Sequence, residues 1–398
     1  MINQISDWLT SIKYMMKHSV NNIQGLTPLR GMAALAVAVF HFQGYFLRFV
    51  TRDESMLIDK CYLMVDLFFI MSGFLILHVY KREFTQKISL KSFKNFIIAR
   101  FARVYPLHFI TLFLLVGLFY AESFKPGAYY DPHAIASHIF LLHSFPLNRE
   151  VTWNIPSWSI SAEWWSYTVF PFLCLFLFKN KKLAVPVIFF CIVIVYISIL
   201  YFVPRHDLYN PAADKLHDLD VTSDYGFLRS IAGFMTGMLL YLVYELNKVK
   251  SFFNSDILCG IYILLLLFAL HMGVPDIFFV PGFSLLILFL TSNTGRISKI
   301  FNNKVFTFLG DISYSVYMVH FLFIIFIEMV AYKFGYRYHS ELILPFFKGA
   351  VFCVLYLLSL IGIAALSYRF LEKPCRRYIN QKWGQSHIRV IHTPSTVL

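Results

Sequence analysis

The sequence predicts an all-α fold, a polytopic bundle of transmembrane helices, and three observations carry this prediction. Of the 398 residues, 58% are hydrophobic and only 14% are charged, whereas a soluble globular chain has about 25% charged residues. Apolar runs long enough to cross a bilayer recur along the chain, which requires membrane lipids around it. The basic residues cluster between these runs as topology signals, so the net charge of +13 does not indicate a nucleic-acid partner.

The apolar runs define about ten spans, with ends placed to within about 2–4 residues. The two short runs, the seventh and eighth, suggest that one or both of these spans are tilted, kinked or incomplete. The predicted spans are 28–47, 61–80, 104–120, 160–178, 183–203, 226–246, 257–272, 277–292, 306–330 and 345–367.

The spans divide the chain into three regions. Residues 1–25 are mixed and polar and lack the apolar stretch of a cleavable signal peptide, so a cytosolic N-terminal segment is expected there. Residues 26–378 are predicted to form one membrane domain, and 379–398 a cytosolic tail. The six cysteines show neither metal-ligand spacing nor a disulfide framework.

The charge of the loops predicts the orientation. Basic loops at 81–103, 179–182 and 293–305 and the basic C-terminal tail fall on one side, which the positive-inside rule makes cytosolic. The loop at 204–225, on the other side, is rich in Asp. An even number of spans then puts both termini in the cytosol.

The longest outer connection, 121–159, contains an apolar piece from Ala134 to Phe145 that is too short to span a bilayer. This piece is predicted to be a re-entrant or interfacial segment. Three histidines recur in the connection every five residues, which does not keep one helical face. No metal site is therefore expected at His133, His138 and His143.

The first span carries two ionisable residues, Arg30 and His41. On one helix they lie about 16 Å apart along the axis and point the same way to within about 20°. Ionisable groups inside a membrane usually face a protein interior or a water-filled cavity. The alternative is that Arg30 extends to the lipid headgroups and His41 is a hydrogen-bonded packing residue.

Four ionisable side chains from four spans are predicted at similar depths. Counting from the outer span ends puts His41 about 9 Å, Asp66 about 7 Å and Glu163 about 5 Å deep. His320 falls somewhat deeper, near the middle of its span. This convergence favours one shared cavity, although sequence does not show which groups meet laterally.

Three arginines, Arg30, Arg100 and Arg103, fall near the cytosolic face. Arg100 and Arg103 are spaced i, i+3 and share a helix face, and guanidinium groups suit phosphate recognition. The alternative is a basic turn that anchors the chain in the membrane. Together with a buried histidine, the arginines indicate a phosphate-bearing donor from the cytosol and a second substrate outside.

Two further motifs have plain interpretations. Gly73 is expected to permit close helix packing, and its neighbour Ser72 lacks a base that sequence can assign to it. His271 and Asp276 have the H-x4-D spacing of glycerolipid acyltransferases. They lie at the outer end of a span, away from the donor side, so the match is interpreted as coincidence.

Six short motifs lie in order along the chain, beginning with the R-x10-H of Arg30 and His41. The others are VDLFFIMSGFLI (65–76), RFARVYPLH (100–108), PSWSISAEWWSY (156–167), LGDISYSVYMVH (309–320) and YRFLEKPCRRY (368–378). In this order and spacing they resemble the acyltransferase-3 family of integral membrane acyltransferases, from Leu26 to about Tyr378. Some members carry a further esterase-like domain, and this chain looks like the stand-alone form.

The resemblance implies an acyl-CoA-dependent O-acyltransferase at the bacterial inner membrane. It would move an acyl group, most often acetyl from acetyl-CoA, to a hydroxyl of a cell-surface glycan such as lipopolysaccharide O-antigen or exopolysaccharide. Acyl-CoA is then a co-substrate, and no cofactor is bound permanently. The motifs imply catalytic roles for Arg30, His41 and Glu163, donor binding by Arg30, Arg100 and Arg103, and substrate contacts by Asp66, Trp158, Ser159, Tyr314 and His320.

A sugar hydroxyl is a poor nucleophile, so transfer needs a base and stabilisation of the tetrahedral oxyanion. Neutral His41 is the expected base, and Glu163 or Asp66 is expected to orient its ring or accept the proton onward. Arg30 would hold part of the donor, while Arg100 and Arg103 would clamp the CoA phosphates. Direct transfer and a covalent acyl-histidine step are both open.

The competing function is a secondary transporter or flippase for a glycan or lipid-linked sugar, which also uses buried charges. Against it, the sequence shows no pair of Gly- or Pro-broken helices in matching halves. A third interpretation is a non-catalytic relative that acts as a sensor or partner. The intact Arg30, His41 and Glu163 speak against it.

Overall fold

The computed structural model describes residues 23, 25–121, 130–147, 152–203, 218–222, 224–335 and 344–384. Within these ranges the chain is helical and contains no β-strand. Seven helices are long and apolar enough to cross a membrane, and two shorter apolar helices accompany them. The prediction of an all-α, polytopic membrane bundle is therefore confirmed. The cytosolic segments predicted at 1–25 and 379–398 lie largely outside the described residues.

Fifteen α-helices make up the described chain. A π-helical turn, Phe42–Phe46, extends the first, and another, Tyr368–Glu372, joins the last two. The helices are α1 Leu26–His41, α2 Met64–Phe84, α3 Leu90–Ala121, α4 Ile135–Ile139, α5 Trp158–Lys179, α6 Lys181–Tyr201, α7 Gly226–Tyr244, α8 Asn247–Phe252, α9 Asp256–His271, α10 Phe279–Ser292, α11 Arg296–Phe301, α12 Lys304–Asp311, α13 Ser313–Lys333, α14 Phe346–Ser367 and α15 Lys373–Trp383.

Two helices depart from the predicted spans. The span expected at 306–330 is broken at Ile312, between α12 and α13. Helix α3 begins at Leu90, well before the predicted start of its span at residue 104. The basic residues of 90–103, which were expected in a loop, are therefore part of a 32-residue helix. Hydropathy locates the hydrocarbon region, whereas the backbone hydrogen bonds of a helix continue past it. Arg100 and Arg103 are consequently helical and buried, and do not lie on an interfacial loop.

Helices α2 and α7 cross at very close range through glycines. A Cβ atom added at Gly73 would overlap the backbone carbonyl of Phe234, and one added at Gly237 would overlap that of Ile70. Small residues let helix backbones approach inside a membrane, where van der Waals packing drives association. The expectation that Gly73 serves close helix packing matches this geometry.

The segment 130–147, predicted to lie on the outer side, contains one short α-helix, α4, consistent with an apolar piece too short to span. The chain turns sharply after α4, with Leu141 in the left-handed region at φ 54°. The turn brings His138 and His143 together, with ring centroids 3.9 Å apart, whereas His133 is exposed. The helical-period argument against a histidine cluster was therefore wrong, because the helix ends between these two residues.

Candidate active site

A cavity opens between α1, α2, α3, α5 and α13. We call it the arginine cavity. Much of its wall is apolar, and each of these helices contributes polar groups to it. The polar wall includes Arg30, Ser72, Arg103, Ser159, Glu163 and Tyr314.

Arg30 and Arg103 face this cavity without a protein partner for their charge. Among the described residues, no carboxylate oxygen lies within 4.0 Å of either guanidinium group, and neither donates a hydrogen bond. The two charges repel each other, while Glu163 and Glu372 attract Arg30 at longer range. Guanidinium groups beside an opening are suited to bind phosphate or carboxylate groups of a ligand.

Glu163 lies with these arginines and not with His41. Its carboxylate accepts hydrogen bonds from the Ser72 hydroxyl and, at 2.6 Å, from the Tyr167 hydroxyl. The predicted outer depth of Glu163 and its expected role in orienting His41 were wrong. The reason is that the chain before α5 is already inside the protein, with Trp153 fully buried. The start of the apolar run therefore does not mark the membrane surface.

Ser72 thus has the carboxylate neighbour that sequence could not assign to it. The two residues are 91 positions apart in the chain and meet only because α2 packs against α5. The pair can hold the Glu163 carboxylate in place beside the arginines, and it can equally activate the hydroxyl. The two roles predict different losses of activity when the Ser72 hydroxyl is removed.

His41 instead meets His320, across the contact between α1 and α13. His320 Nδ1 donates to the Tyr317 carbonyl at 2.6 Å, which leaves Nε2 as an acceptor. His41 Nδ1 lies 3.1 Å from that Nε2 and 3.0 Å from the Val37 carbonyl, so Nδ1 carries the proton. The lone pair of His41 is then on Nε2, the position that a general base requires.

We call His41 and His320 the histidine pair. His320 was expected to contact substrate, but it is fully buried and holds the His41 ring. The prediction that Glu163 or Asp66 performs this task is corrected accordingly. Counting from the span ends placed both histidines well inside their helices, but it did not indicate that α1 and α13 are neighbours.

Asp66 is enclosed by a residue that the sequence did not single out, Arg229 on α7. The Arg229 Nε–H and Nη2–H donate to the two carboxylate oxygens at 2.9 and 2.6 Å, and both side chains are 1% exposed. The Arg229 guanidinium also stacks near Trp158, 5.4 Å from the ring centroid. Asp66 therefore does not share a cavity with His41, and the expected substrate contacts of Asp66 and Trp158 become helix-packing contacts in this structure.

Arg100 and Arg103 have different surroundings despite their i, i+3 spacing. Residues three apart on a helix differ by about 60° around the axis, and only Arg103 reaches the arginine cavity. Arg100 donates to the Tyr80 hydroxyl at 3.1 Å and packs its guanidinium over the Tyr80 ring. The expectation that both arginines grip one donor is thus supported by the position of Arg103 alone.

Tyr317 separates the arginine cavity from the histidine pair, and the sequence did not single it out. Its ring lines the cavity and lies 5.7 Å from the His320 ring. Its hydroxyl donates to the Pro156 carbonyl at 3.0 Å and lies 2.7 Å from Ser159 Oγ. The spacing of Tyr314, Tyr317 and His320 by three residues could have indicated one helix face.

A charged rim lies beside the arginine cavity, formed by α12 and the C-terminal helix α15. Burial raises the pKa of Asp311 to about 6, and the cations Lys373, Arg376 and Arg30 oppose that rise. Glu372 also lies here and accepts a hydrogen bond from Ser315 at 2.8 Å. The rim therefore brings two cations, Lys373 and Arg376, and two carboxylates, Asp311 and Glu372, to the end of the cavity where Arg30 lies.

Comparisons with known proteins agree on one family. The acyltransferase domain model of the acyltransferase-3 family matches residues 23–369. A Staphylococcus aureus (strain COL) protein, provisionally named an O-acetyltransferase, is 26% identical over 381 residues, which cover 89% of this chain and 57% of that protein. The peptidoglycan O-acetyltransferase of Listeria monocytogenes is 25% identical over 399 residues, 92% of this chain and 58% of that protein.

A shorter match links the chain to a Rhizobium radiobacter protein known as protein 2 of the picA locus. It is 37% identical over 94 residues, 24% of this chain and 44% of that protein. The chain thus spans 57–58% of the length of the longer curated relatives that it matches. No solved structure matches the chain.

Proposed function

Because this chain belongs to the acyltransferase-3 family of integral membrane proteins, we propose that it is an O-acyltransferase that moves acetyl from acetyl-CoA to a hydroxyl of a cell-surface glycan. One observation carries the proposal. A buried histidine with its lone pair on Nε2, His41, is paired with His320, whose ring lies 5.7 Å from that of Tyr317. Tyr317 lines a cavity that holds two arginines without carboxylate partners among the described residues.

The arginine cavity is the proposed donor site. Coenzyme A carries phosphate groups, and Arg30 and Arg103 offer guanidinium donors that no described carboxylate occupies. Since Arg30 lies near the start of α1, beside the basic loops, the donor enters from the cytosolic side by the positive-inside rule.

His41 is the proposed general base. Its Nε2 takes the proton of the acceptor hydroxyl as the oxygen attacks the thioester carbonyl carbon. The carbon–sulfur bond then breaks, the acyl–oxygen bond is retained, and the proton passes from His41 to the leaving thiolate. His320 keeps the His41 ring in the productive tautomer. Tyr317 must shift for the pantetheine arm to pass from the cavity to His41.

The acceptor is proposed to be a glycan at the outer face of the bacterial inner membrane. The name of the Listeria relative assigns it peptidoglycan as acceptor, which supports a sugar hydroxyl for this chain as well. Lipopolysaccharide O-antigen and exopolysaccharide are the acceptors that we propose to test first. Both chain termini are proposed to be cytosolic.

The test uses the full chain in lipid nanodiscs with radiolabelled acetyl-CoA and purified envelope glycans. We expect CoA thiol release and transfer of label to glycan, both dependent on His41. A transporter would bind or move glycan without releasing CoA, so absence of CoA release from folded protein would contradict the proposal. Mass spectrometry of glycans from a deletion strain identifies the acceptor by the acetyl mass that is lost.

A further inference from the structure

Three buried histidines meet outside the proposed active site, where the outer segment lies on α3. His108 comes from α3, His138 from α4 and His143 from the turn that follows α4. They are 1%, 2% and 3% exposed. One ring nitrogen of each lies within 4.8 Å of the corresponding atoms of the other two. We call this group the histidine cluster.

The hydrogen bonds of the cluster assign the tautomers. His108 Nε2 lies 2.9 Å from the His138 carbonyl, and His143 Nε2 lies 2.9 Å from the Ser157 carbonyl. A carbonyl oxygen only accepts, so Nε2 carries the proton in both rings and Nδ1 carries a lone pair. His138 Nε2 lies 3.1 Å from the Thr152 hydroxyl, which can donate or accept, so this contact permits the proton on Nε2 that metal binding through Nδ1 requires.

The three Nδ1 atoms are buried and none makes a hydrogen bond of normal geometry with the described residues, although the Ser137 carbonyl also lies close to the His143 ring. Buried polar atoms are normally satisfied, and unpaired ring nitrogens beside one another are unfavourable. One cation among them would satisfy all three at once. A histidine that binds a metal through one nitrogen and donates its other N–H to a carbonyl or hydroxyl oxygen is the usual arrangement in metal sites.

We propose that His108, His138 and His143 bind a divalent transition-metal ion of the zinc class through their Nδ1 atoms. Neutral imidazoles without carboxylates favour zinc, copper or nickel over calcium and magnesium, which take oxygen ligands. The site ties the segment 130–147 to α3 at His108, five residues or about 7.5 Å along that helix from Arg103. It is a positional site for the fold of that segment and takes no part in the acyl-transfer steps above.

Metal binding tightens the cluster. Two nitrogens at tetrahedral positions on zinc lie about 3.3 Å apart, closer than the 4.8 Å limit of the group. The His138 and His143 rings, parallel to within 10°, must also tilt so that both lone pairs face the ion. Since His138 and His143 flank the Leu141 turn, this movement draws the turn onto α3.

The test measures metal on the purified full chain in detergent. Protein is stripped with a chelator, incubated with ZnCl2, desalted and analysed by plasma mass spectrometry, and CoCl2 provides a visible ligand-field spectrum. We expect about one zinc per wild-type chain and a rise in thermal unfolding temperature on zinc addition. His133→Gln, an exposed histidine of the same segment, is the matched control and should bind like wild type.

His143→Gln should bind zinc at least tenfold more weakly than the control. The wild-type chelation and zinc re-addition cycle needs no variant, so the test stands even if His143→Gln folds poorly. A wild-type chain that takes up no zinc, shows no cobalt spectrum and keeps its unfolding temperature would overturn the proposal, and a buried water would then fill the cluster. Equal zinc in His143→Gln and His133→Gln would overturn it as well.

Discussion

Two regions of this bundle bury arginine in opposite ways. In the ion pair of Asp66 and Arg229, both side chains are 1% exposed and meet through two hydrogen bonds. In the arginine cavity, Arg30 and Arg103 face an opening between helices, and no described carboxylate lies within 4.0 Å of them. A fully paired buried charge holds helices together, whereas an unpaired charge beside an opening is available to a ligand.

The difference assigns separate tasks to charges that looked alike in sequence. Like charges beside each other in a low-dielectric wall repel. The repulsion between Arg30 and Arg103 therefore costs free energy, which an anionic donor relieves. Substitutions in the ion pair should therefore change the free energy of unfolding. Substitutions in the cavity should change the affinity for acetyl-CoA.

The largest expected effect is on stability, from Asp66→Ala. Removing the carboxylate leaves the buried Arg229 charge with only the half-exposed Asp220 carboxylate, 3.5 Å away, among the described residues, which costs up to about 3–5 kcal/mol. Thermal unfolding in detergent should show a large fall in unfolding temperature. The double variant Asp66→Leu, Arg229→Met should recover much of it, because neither charge remains. An Asp66→Ala protein as stable as wild type would break the distinction between the two regions.

The next effect is on turnover, from His320→Ala. Loss of the hydrogen bond to His41 Nδ1 leaves that N–H held by the Val37 carbonyl alone among the described residues, so the ring is oriented less firmly. We expect kcat to fall roughly tenfold to a hundredfold, less than for loss of the base itself. The KM for acetyl-CoA should stay near wild type, since His320 lies outside the cavity wall. Partial recovery of kcat by His320→Gln would support a positioning role, and an effect confined to KM would refute it.

Arg103→Ala tests the cavity itself. Loss of a charged phosphate contact should raise the KM for acetyl-CoA about tenfold or more with little change in kcat. Arg100→Gln is the matched control, one turn away and packed on Tyr80. It should lower stability and leave that KM unchanged. Equal KM increases in both variants would show that the two arginines act as one clamp after all.

The smallest expected effect is from Ser72→Ala. If Ser72 only holds Glu163, its loss removes one hydrogen bond, and activity should fall only a few-fold. If Ser72 carries the acyl group as a nucleophile, activity should vanish. Acetyl-CoA turnover of the variant, together with intact-protein mass spectrometry of wild type after a pulse of acetyl-CoA, separates these outcomes. An acetyl mass on wild type that is absent from the variant would contradict the holding role.

Sequence reasoning foresaw the membrane bundle, because periodicity and hydropathy report how each residue faces on its own helix. The structure does not bring His41, Asp66, Glu163 and His320 into the one cavity that was expected for them. Sequence reasoning placed Arg30, Arg103, Ser159 and Tyr314 in motifs that the structure brings to one cavity. It could not foresee which helices are neighbours. Arg229 was overlooked because nothing in its span marks it as the partner of Asp66, 163 residues away.

Glu163 and the histidine cluster show a second limit. The positions of Glu163 and of the histidine cluster both depend on where a regular helix begins or ends. These points are the buried entry to α5 and the turn after α4. Depth counted from an apolar run fails when the chain enters the protein before the run begins. Helical periodicity fails when a helix ends between the two residues compared, as it does between His138 and His143.

The central claim is that the arginine cavity holds the donor while His41 performs the chemistry. The most direct measurement compares His41→Ala with wild type for both acetyl-CoA binding and acetyl transfer, with expression and unfolding temperature matched. We expect the dissociation constant for acetyl-CoA to stay within about twofold, while kcat falls by about 10²–10⁴ as expected for loss of a general base. Near-normal transfer by His41→Ala would contradict the account.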